Sequence, residues 1–469
     1  MTPSAASGAA GAATAAAPSL SRYRFVALAV VWSAYLIVFL SRLCVGPLAP
    51  FLKSAFELDN AQIGGLTSAT AVAYAPTLIF AGWLVDRIGV RRALLIGTAV
   101  TGVCIGLVAL APSYGTMLLL LGASGLGCGF IYPTAVKAIM LWFPPHERAT
   151  AVGVNQSAVN ISGMLGAAIM PGLAVAYGWQ AGFVFAAGLA FVVCGLAAVL
   201  YRDPAVPASG AALAAVPATL PAAGSGAPSG QPLPPAAAAA GRPQEDRLAF
   251  VEIDQGLPSV TGDEATDRRA LESGFVAVLK SRDILLMGLA ALFLGMVEFA
   301  ALAHLVLFLN TAWGYAVAVA AGMLAFCQFA GAVGKPLSGL VSDRVLHRRR
   351  VPALLAMGTL AGLSCVALAL LQPGHTWLLW LALFVLGFGA VGWGGLMGTL
   401  AGETGGPVAA GAAAGVSAAF FNVGIFLGPP LFGFIVDRTG EYSPAWWVLA
   451  AFAAVSLVLL AFVRERRER

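Results

Sequence analysis

The chain has 469 residues, 59% of them hydrophobic and 10% charged, with a formal net charge of +5. Soluble globular domains carry about 25% charged residues, so this composition excludes an ordinary soluble enzyme or binding module. Its apolar stretches are continuous and not alternating, which excludes a membrane β-barrel as well.

Residues 1–24 are Ala-rich and lack the positive start of a signal peptide, so they read as a disordered cytoplasmic tail. Twelve apolar runs follow, each about long enough to cross a bilayer core. They cover 25–47, 62–84, 93–111, 116–141, 150–175, 180–201, 284–309, 317–341, 351–371, 376–399, 410–436 and 444–463. The expected fold is an all-α polytopic membrane protein with twelve transmembrane helices in two pseudo-symmetric six-helix bundles, 25–201 and 283–463. Between them, 202–282 reads as a cytoplasmic linker. Its "GSGAPSGQPLPPAAAAAGRP" is low complexity and cannot bury a core, and the stretch from Glu245 to Asp267 is acidic. A small folded module or phospho-switch is the alternative there. Residues 464–469 form a basic cytoplasmic tail.

The charges sort by side. Arg22 and Arg24 precede the first run; Arg87, Arg91 and Arg92 follow the second, and Arg148 the fourth. Arg344 and Arg348 to Arg350 follow the eighth, and four arginines follow the twelfth. The alternate loops hold little basic beyond Lys53 and Arg438. This asymmetry predicts an inner-membrane protein with both termini in the cytoplasm, and it accounts for the positive balance without a nucleic-acid partner. The six cysteines all lie inside apolar runs without metal or redox spacing, and read as small apolar residues.

The halves repeat each other. "GWLVDRIGVRR" (82–92) and "GLVSDRVLHRRR" (339–350) stand 257 residues apart, with Asp343 matching Asp86. "GVNQSAVNISGMLG" in the fifth run parallels "GVSAAFFNVGIFLG" in the eleventh, aligning Asn160 with Asn422. Duplicated six-helix halves are an architecture in which a central site forms at the repeat interface.

"GWLVDRIGVRR" resembles the G-x-x-x-D-R-x-G-x-R-R cytoplasmic loop signature of the major facilitator superfamily. "WFPPHERATAVGVNQS" and "YGWQAGF" are similar to its organic-anion and monocarboxylate branches. The resemblance covers essentially the whole chain. It implies that Gly82, Asp86, Arg87, Gly89, Arg91 and Arg92, with Asp343 and Arg344 of the second copy, latch the halves together on the cytoplasmic side when the protein opens outward. The second copy carries Leu346 in place of Gly89, which puts its tight turn in doubt. Arginines that only set topology are the alternative, but they leave the paired aspartate unexplained.

An ionisable residue at membrane centre costs about 2.5–3.5 kcal/mol on insertion scales, so its presence points to function. Glu298 is the acid well inside a run; Arg42, Lys335 and His304 join it, with Lys137 nearer the cytoplasmic end of the fourth. The 257-residue offset carries Arg42 to position 299, beside Glu298, so both should face one cavity. A structural Arg42–Glu298 ion pair, or Arg42 snorkelling outward, is the competing reading. Lys335 is one of four lysines and shares a helix face with Gln328. The following Pro336 resembles the basic residue–proline pair of monocarboxylate porters, where the basic residue is arginine. Lysine cannot offer its bidentate geometry. Substrate contacts are expected from Arg42, Lys335, Gln328, Tyr35, Asn155 and Trp393, and proton coupling from Glu298 and His304. Asn155, Gln156, Asn160 and Asn422 line the cavity or bond between helices, and His304 has the same alternative.

These features predict a secondary transporter for a small organic anion, working by alternating access with proton symport, as a monomer and without cofactor or metal. A proton-driven drug or metabolite exporter is one alternative, although its G-P-x-x-G-G signature is absent from the fifth run. A transporter-like receptor is another. An enzyme is not expected, because no nucleophile–base set or phosphate loop appears.

Overall fold

The computed structural model describes residues 20–143, 145–203, 278, 280–347 and 349–465. The expected tail and linker lie almost wholly outside these residues, as do the side chains of Asp86 and Arg148 and any account of Gly82 beyond its helical backbone. The helices are α1 (Leu20–Leu43), α2 (Val45–Phe56), α3 (Asn60–Ile88), α4 (Val90–Val108), α5 (Tyr114–Trp142), α6 (Pro145–Tyr177) and α7 (Trp179–Leu200). After the linker come α8 (Arg282–Thr311), α9 (Val317–Arg344), α10 (Arg350–Leu370), α11 (Thr376–Leu386), α12 (Gly394–Thr439) and α13 (Ser443–Ala461).

Eleven helical stretches among the described residues are long and apolar enough to cross a membrane. They account for every predicted run except 62–84. That run lies within α3, which has several side chains outside the described set. Large exposed apolar residues such as Leu119, Val175, Val199 and Trp377 are what a helix surface in lipid requires.

The first run departs from its expected limits. Its helix breaks at Cys44 and resumes as α2 as far as Phe56, so Lys53, expected in a loop, stands inside a helix. Pro47 explains the break: it has no N–H to return to the carbonyl four residues earlier, and its ring is tolerated only in the first turn of a new helix. A Cβ on Gly46 would lie 2.7 Å from the Leu302 carbonyl oxygen, so the restarted helix packs closely on α8.

The three largest apolar cores segregate by half, while a small one joins Ala71 to Phe299 and Ile425 across them. One cluster draws on residues 27–201 plus Leu307, and two others on 278–463 plus Ala167. The halves meet where α3 packs on α12, α6 on α9, and α2 on α8. One end of the bundle carries Arg24, Arg91 and Arg350; the opposite end carries Asn60, at the start of α3, and Asp437, near the end of α12.

Candidate functional site: a charged group between the halves

Arg42 closes α1 at the break, where the helix ladder is interrupted. Its residue is 5% exposed, and its guanidinium lies over three rings: Tyr74 at 4.4 Å, Phe39 at 5.4 Å and Phe299 at 5.9 Å. Phe299 is the residue that the 257-residue repeat pairs with Arg42. Such a cage stabilises a desolvated cation, but the Nη2 atom is buried without a hydrogen-bond partner.

Glu298, 9% exposed, lies mid-way along α8. Lys335 and Arg42 are the cations whose fields reach it, and the Trp393 indole lies beside it. The ion pairs among the described residues are Arg24–Glu147, Arg350–Asp343 and Arg350–Glu403. Neither Arg42 nor Lys335 closes onto Glu298. Lys335 instead donates to Asn160 Oδ1 at 3.2 Å, which ties α9 to α6 across the halves. Gln328 packs against the same helix, with its Nε2 2.3 Å from where a Gly163 Cβ would stand.

Trp393 follows a five-residue π turn, Gly387–Val391, a distortion often found at functional sites. Glycines permit it: a Cβ on Gly387 would lie 1.9 Å from the Cys327 carbonyl oxygen. The Trp393 ring stands edge-on to Phe421 at 5.3 Å, and Phe421 edge-on to Phe299 at 5.9 Å. Its Nε1, like the Oδ1 atoms of Asn155 and Asn422, is buried without a partner. Tyr35 is buried among Phe39 and Tyr132, with centroids at 5.0 and 6.3 Å. Unsatisfied buried polar atoms are rare and call for an explanation; within the charged group they include a guanidinium nitrogen of Arg42.

His304 sits apart from this group. It is fully buried, donates from Nε2 to the Pro429 carbonyl at 2.9 Å, and stacks on Phe432 at 4.9 Å. It therefore joins α8 to α12.

The family model described as Major Facilitator Superfamily matches residues 31–418. The chain belongs to the major facilitator superfamily. A probable sulfoacetate transporter of Cupriavidus necator is 24% identical over 450 residues, 94% of each chain. A probable galactarate/D-glucarate transporter of Bacillus subtilis is 26% identical over 431 residues, 86% of this chain and 83% of that one. Among solved structures, a bacterial homologue of the human lysosomal transporter Spinster, inward-facing and unoccupied, superposes with TM-score 0.65 at 18% identity, covering 94% of this chain and 95% of its own. This superfamily comprises transporters, and no enzymatic role is implied.

Its signature loop makes local contacts at the basic end. Gly89 has φ +84°, and a Cβ there would lie 3.0 Å from Asp203 Oδ2. The backbone N–H of Arg91 donates to Asp203 Oδ1 at 3.2 Å, and its Nη2 donates to the Ala198 carbonyl. Both bonds tie α4 to the end of α7 within the first half. Lys137 donates to the Val85 carbonyl at 3.0 Å, near the end of α3. Arg87 and Arg92 are exposed. In the second copy, Asp343 accepts from Arg350, not from Arg344, which is exposed. Arg350 also donates to Ser342 Oγ at 3.1 Å and to Glu403 at 3.3 Å. Glu465 accepts from the backbone N–H groups of Arg350 and Val351, capping α10. The left-handed residue of this turn is His347, φ +52°, one position beyond Leu346.

Arg350, Glu403 and Glu465 escaped sequence reasoning because arginines at a run's end read as topology signals. Asp437 escaped although "IVDRTG" (435–440) copies "LVDRIG" (84–89), because the two stretches lie outside the 257-residue register that relates the halves.

Proposed function

We propose that this protein is a secondary active transporter that carries a small organic anion across the cytoplasmic membrane by alternating access, with a proton as co-substrate. The observation behind this reading is the group of Arg42, Lys335 and Glu298 between the halves, where no ion pair closes and a guanidinium nitrogen is left open. A buried cation onto which no carboxylate closes is costly, so an anionic ligand is its natural complement. Two relatives similar over most of their length, a probable sulfoacetate transporter and a probable galactarate/D-glucarate transporter, support the same substrate class.

In this proposal twelve spans form two six-helix bundles, the basic end lies in the cytoplasm with both termini, and the monomer is the working unit. Arg42 and Lys335 meet the acid group, while Tyr35, Asn155, Gln328 and Trp393 line the remainder. Glu298 carries the proton, and His304 serves the packing of α8 on α12. Uptake of a bare monoanion opposes an inside-negative potential by about 2.3 kcal/mol per 100 mV. A co-transported proton removes that penalty.

The test is uptake into proteoliposomes across a panel of carboxylates and sulfonates, with and without a pH gradient. Glu298→Gln should retain anion exchange and lose proton-driven uptake, whereas Lys335→Gln should weaken binding and Lys335→Arg retain part of it. If Arg42→Gln and Glu298→Gln each lower folded yield, and the double variant restores both yield and proton-driven uptake, the charges form a structural pair and the coupling role is wrong.

A further inference from the structure

Leu84–Gly89 reads LVDRIG at the end of α3, and Ile435–Gly440 reads IVDRTG at the end of α12. Both stretches end in a left-handed glycine, with φ +84° at Gly89 and +74° at Gly440. Each aspartate therefore stands in the last turn of its helix. The two helices pack against each other in opposite directions, so the C-terminal end of α12 lies beside the N-terminus of α3.

Asp437 spans that gap. Its Oδ1 accepts from the Asn60 backbone N–H at 2.9 Å and from Asn60 Nδ2 at 2.6 Å, and its Oδ2 accepts from the Ala61 N–H at 2.8 Å. Asp59 and Gln62 satisfy the other two reciprocally: Gln62 N–H bonds to Asp59 Oδ1 at 2.6 Å, and Asp59 N–H to Gln62 Oε1 at 3.0 Å. All four orphan donors of the helix start are thus satisfied, and two of them depend on the other half of the protein. Lys53 steadies the joint by donating to Asn60 Oδ1 at 2.7 Å.

Small residues at four-residue steps make the approach possible. Asn60, Gly64 and Ser68 on α3 face Asp437, Gly433, Pro429 and Ile425 on α12. A Cβ on Gly433 would lie 2.1 Å from the Asn60 oxygen, and one on Gly64 would lie 2.3 Å from the Pro429 carbonyl. Ser68 Oγ donates to the Ile425 carbonyl at 3.1 Å. Among the described residues, the hydrogen bonds joining the halves are these and Lys335–Asn160; none of them lies at the basic end.

We propose that Asp437 is the gate residue of the end opposite the signature loop. It is a helix cap supplied in trans, made while that end is closed and released when it opens. A cap of this kind is worth roughly tenfold in an equilibrium, and the helix macrodipole strengthens it for a carboxylate. Because the joint stands at a water-exposed rim, the freed groups bond water when the halves part, so the contact biases the cycle without freezing it. Asp86 carries the reciprocal role, implied by its signature loop, at the other end of the same helix pair. This inference does not depend on which anion is carried.

Spin labels at Ser54 and Glu441, in a cysteine-free background, would read the separation of this end by pulsed EPR. Asp437→Ala should raise the wide-distance population roughly tenfold over the parent. Asp437→Asn, which keeps one acceptor oxygen, should raise it less. Asp86→Asn should shift the balance the opposite way, and the double variant should fall between. A folded Asp437→Ala protein with the parent's distance distribution overturns the proposal. Lowered thermal stability of Asp437→Asn without a shift in distances does the same. Should Asp437→Ala fail to fold, Asp437→Asn and Asn60→Ala decide in its place: both shift toward wide distances if Asp437 is the gate, and no shift in either refutes it.

Discussion

Replacing Gly433 with alanine puts a methyl group where two backbones touch. The new Cβ would stand 2.1 Å from the Asn60 oxygen, 2.2 Å from its carbonyl carbon and 2.5 Å from the Ala61 nitrogen. All three are backbone atoms, so no side chain can swing aside. Ordinary contact begins near 3.4 Å, so α3 and α12 must part by about 1.3 Å (3.4 − 2.1). Overpacking of this kind costs about 1–3 kcal/mol. Alanine's higher helix propensity, about 1 kcal/mol, acts on α12 whether this end is closed or open and cancels from the balance. The strain is relieved on opening, so the closed population should fall by a factor of about 5 to 150 relative to the open one. Ser68→Cys, on α3 two turns below Asn60 and 1% exposed in the parent residue, reports the change. A membrane-impermeant maleimide should label it faster by that factor when Gly433 is alanine. Gly172→Ala and Gly188→Ala, whose Cβ atoms would meet nothing within 4 Å, should leave the rate unchanged. Parental labelling in a Gly433→Ala protein of normal thermal stability would refute the reasoning from close approach.

Arg42→Lys keeps the charge but loses the planar group caged by Phe39, Tyr74 and Phe299. Folded yield should hold near the parent's while the transport KM rises roughly tenfold or more. Gly89→Ala forces a side chain into φ +84° against Asp203; it should cost about 1–2 kcal/mol and lower the melting temperature in detergent, with Gly115→Ala as the neutral control. Deleting residues 210–240 should leave uptake in proteoliposomes nearly intact, because that low-complexity stretch offers no packed surface; a loss of folding or uptake would reveal a partner or structure within it.

The spans were legible because a membrane helix is declared by the summed hydrophobicity of about twenty neighbours, a local quantity that distant contacts do not alter. The cost of burying charge is similarly local, and it singled out Arg42, Glu298 and Lys335 before any contact was known. The break at Cys44 was missed because an apolar run continues on both sides of Pro47, so hydrophobicity registers no interruption where the backbone loses a hydrogen bond.

Partnership was the work of tertiary structure. Lys335 might as readily have met Glu298 as Asn160, and nothing within α12 announces that Asp437 bonds Asn60, 377 residues away. Those choices follow from how far the helices rotate and slide against one another, which small residues such as Gly64 and Gly433 set by letting backbones approach. A glycine's own sequence neighbourhood does not say which helix it will touch. Composition therefore determined what the chain is dissolved in, while packing between the halves decided which buried charge stays open and which carboxylate reaches across to another helix.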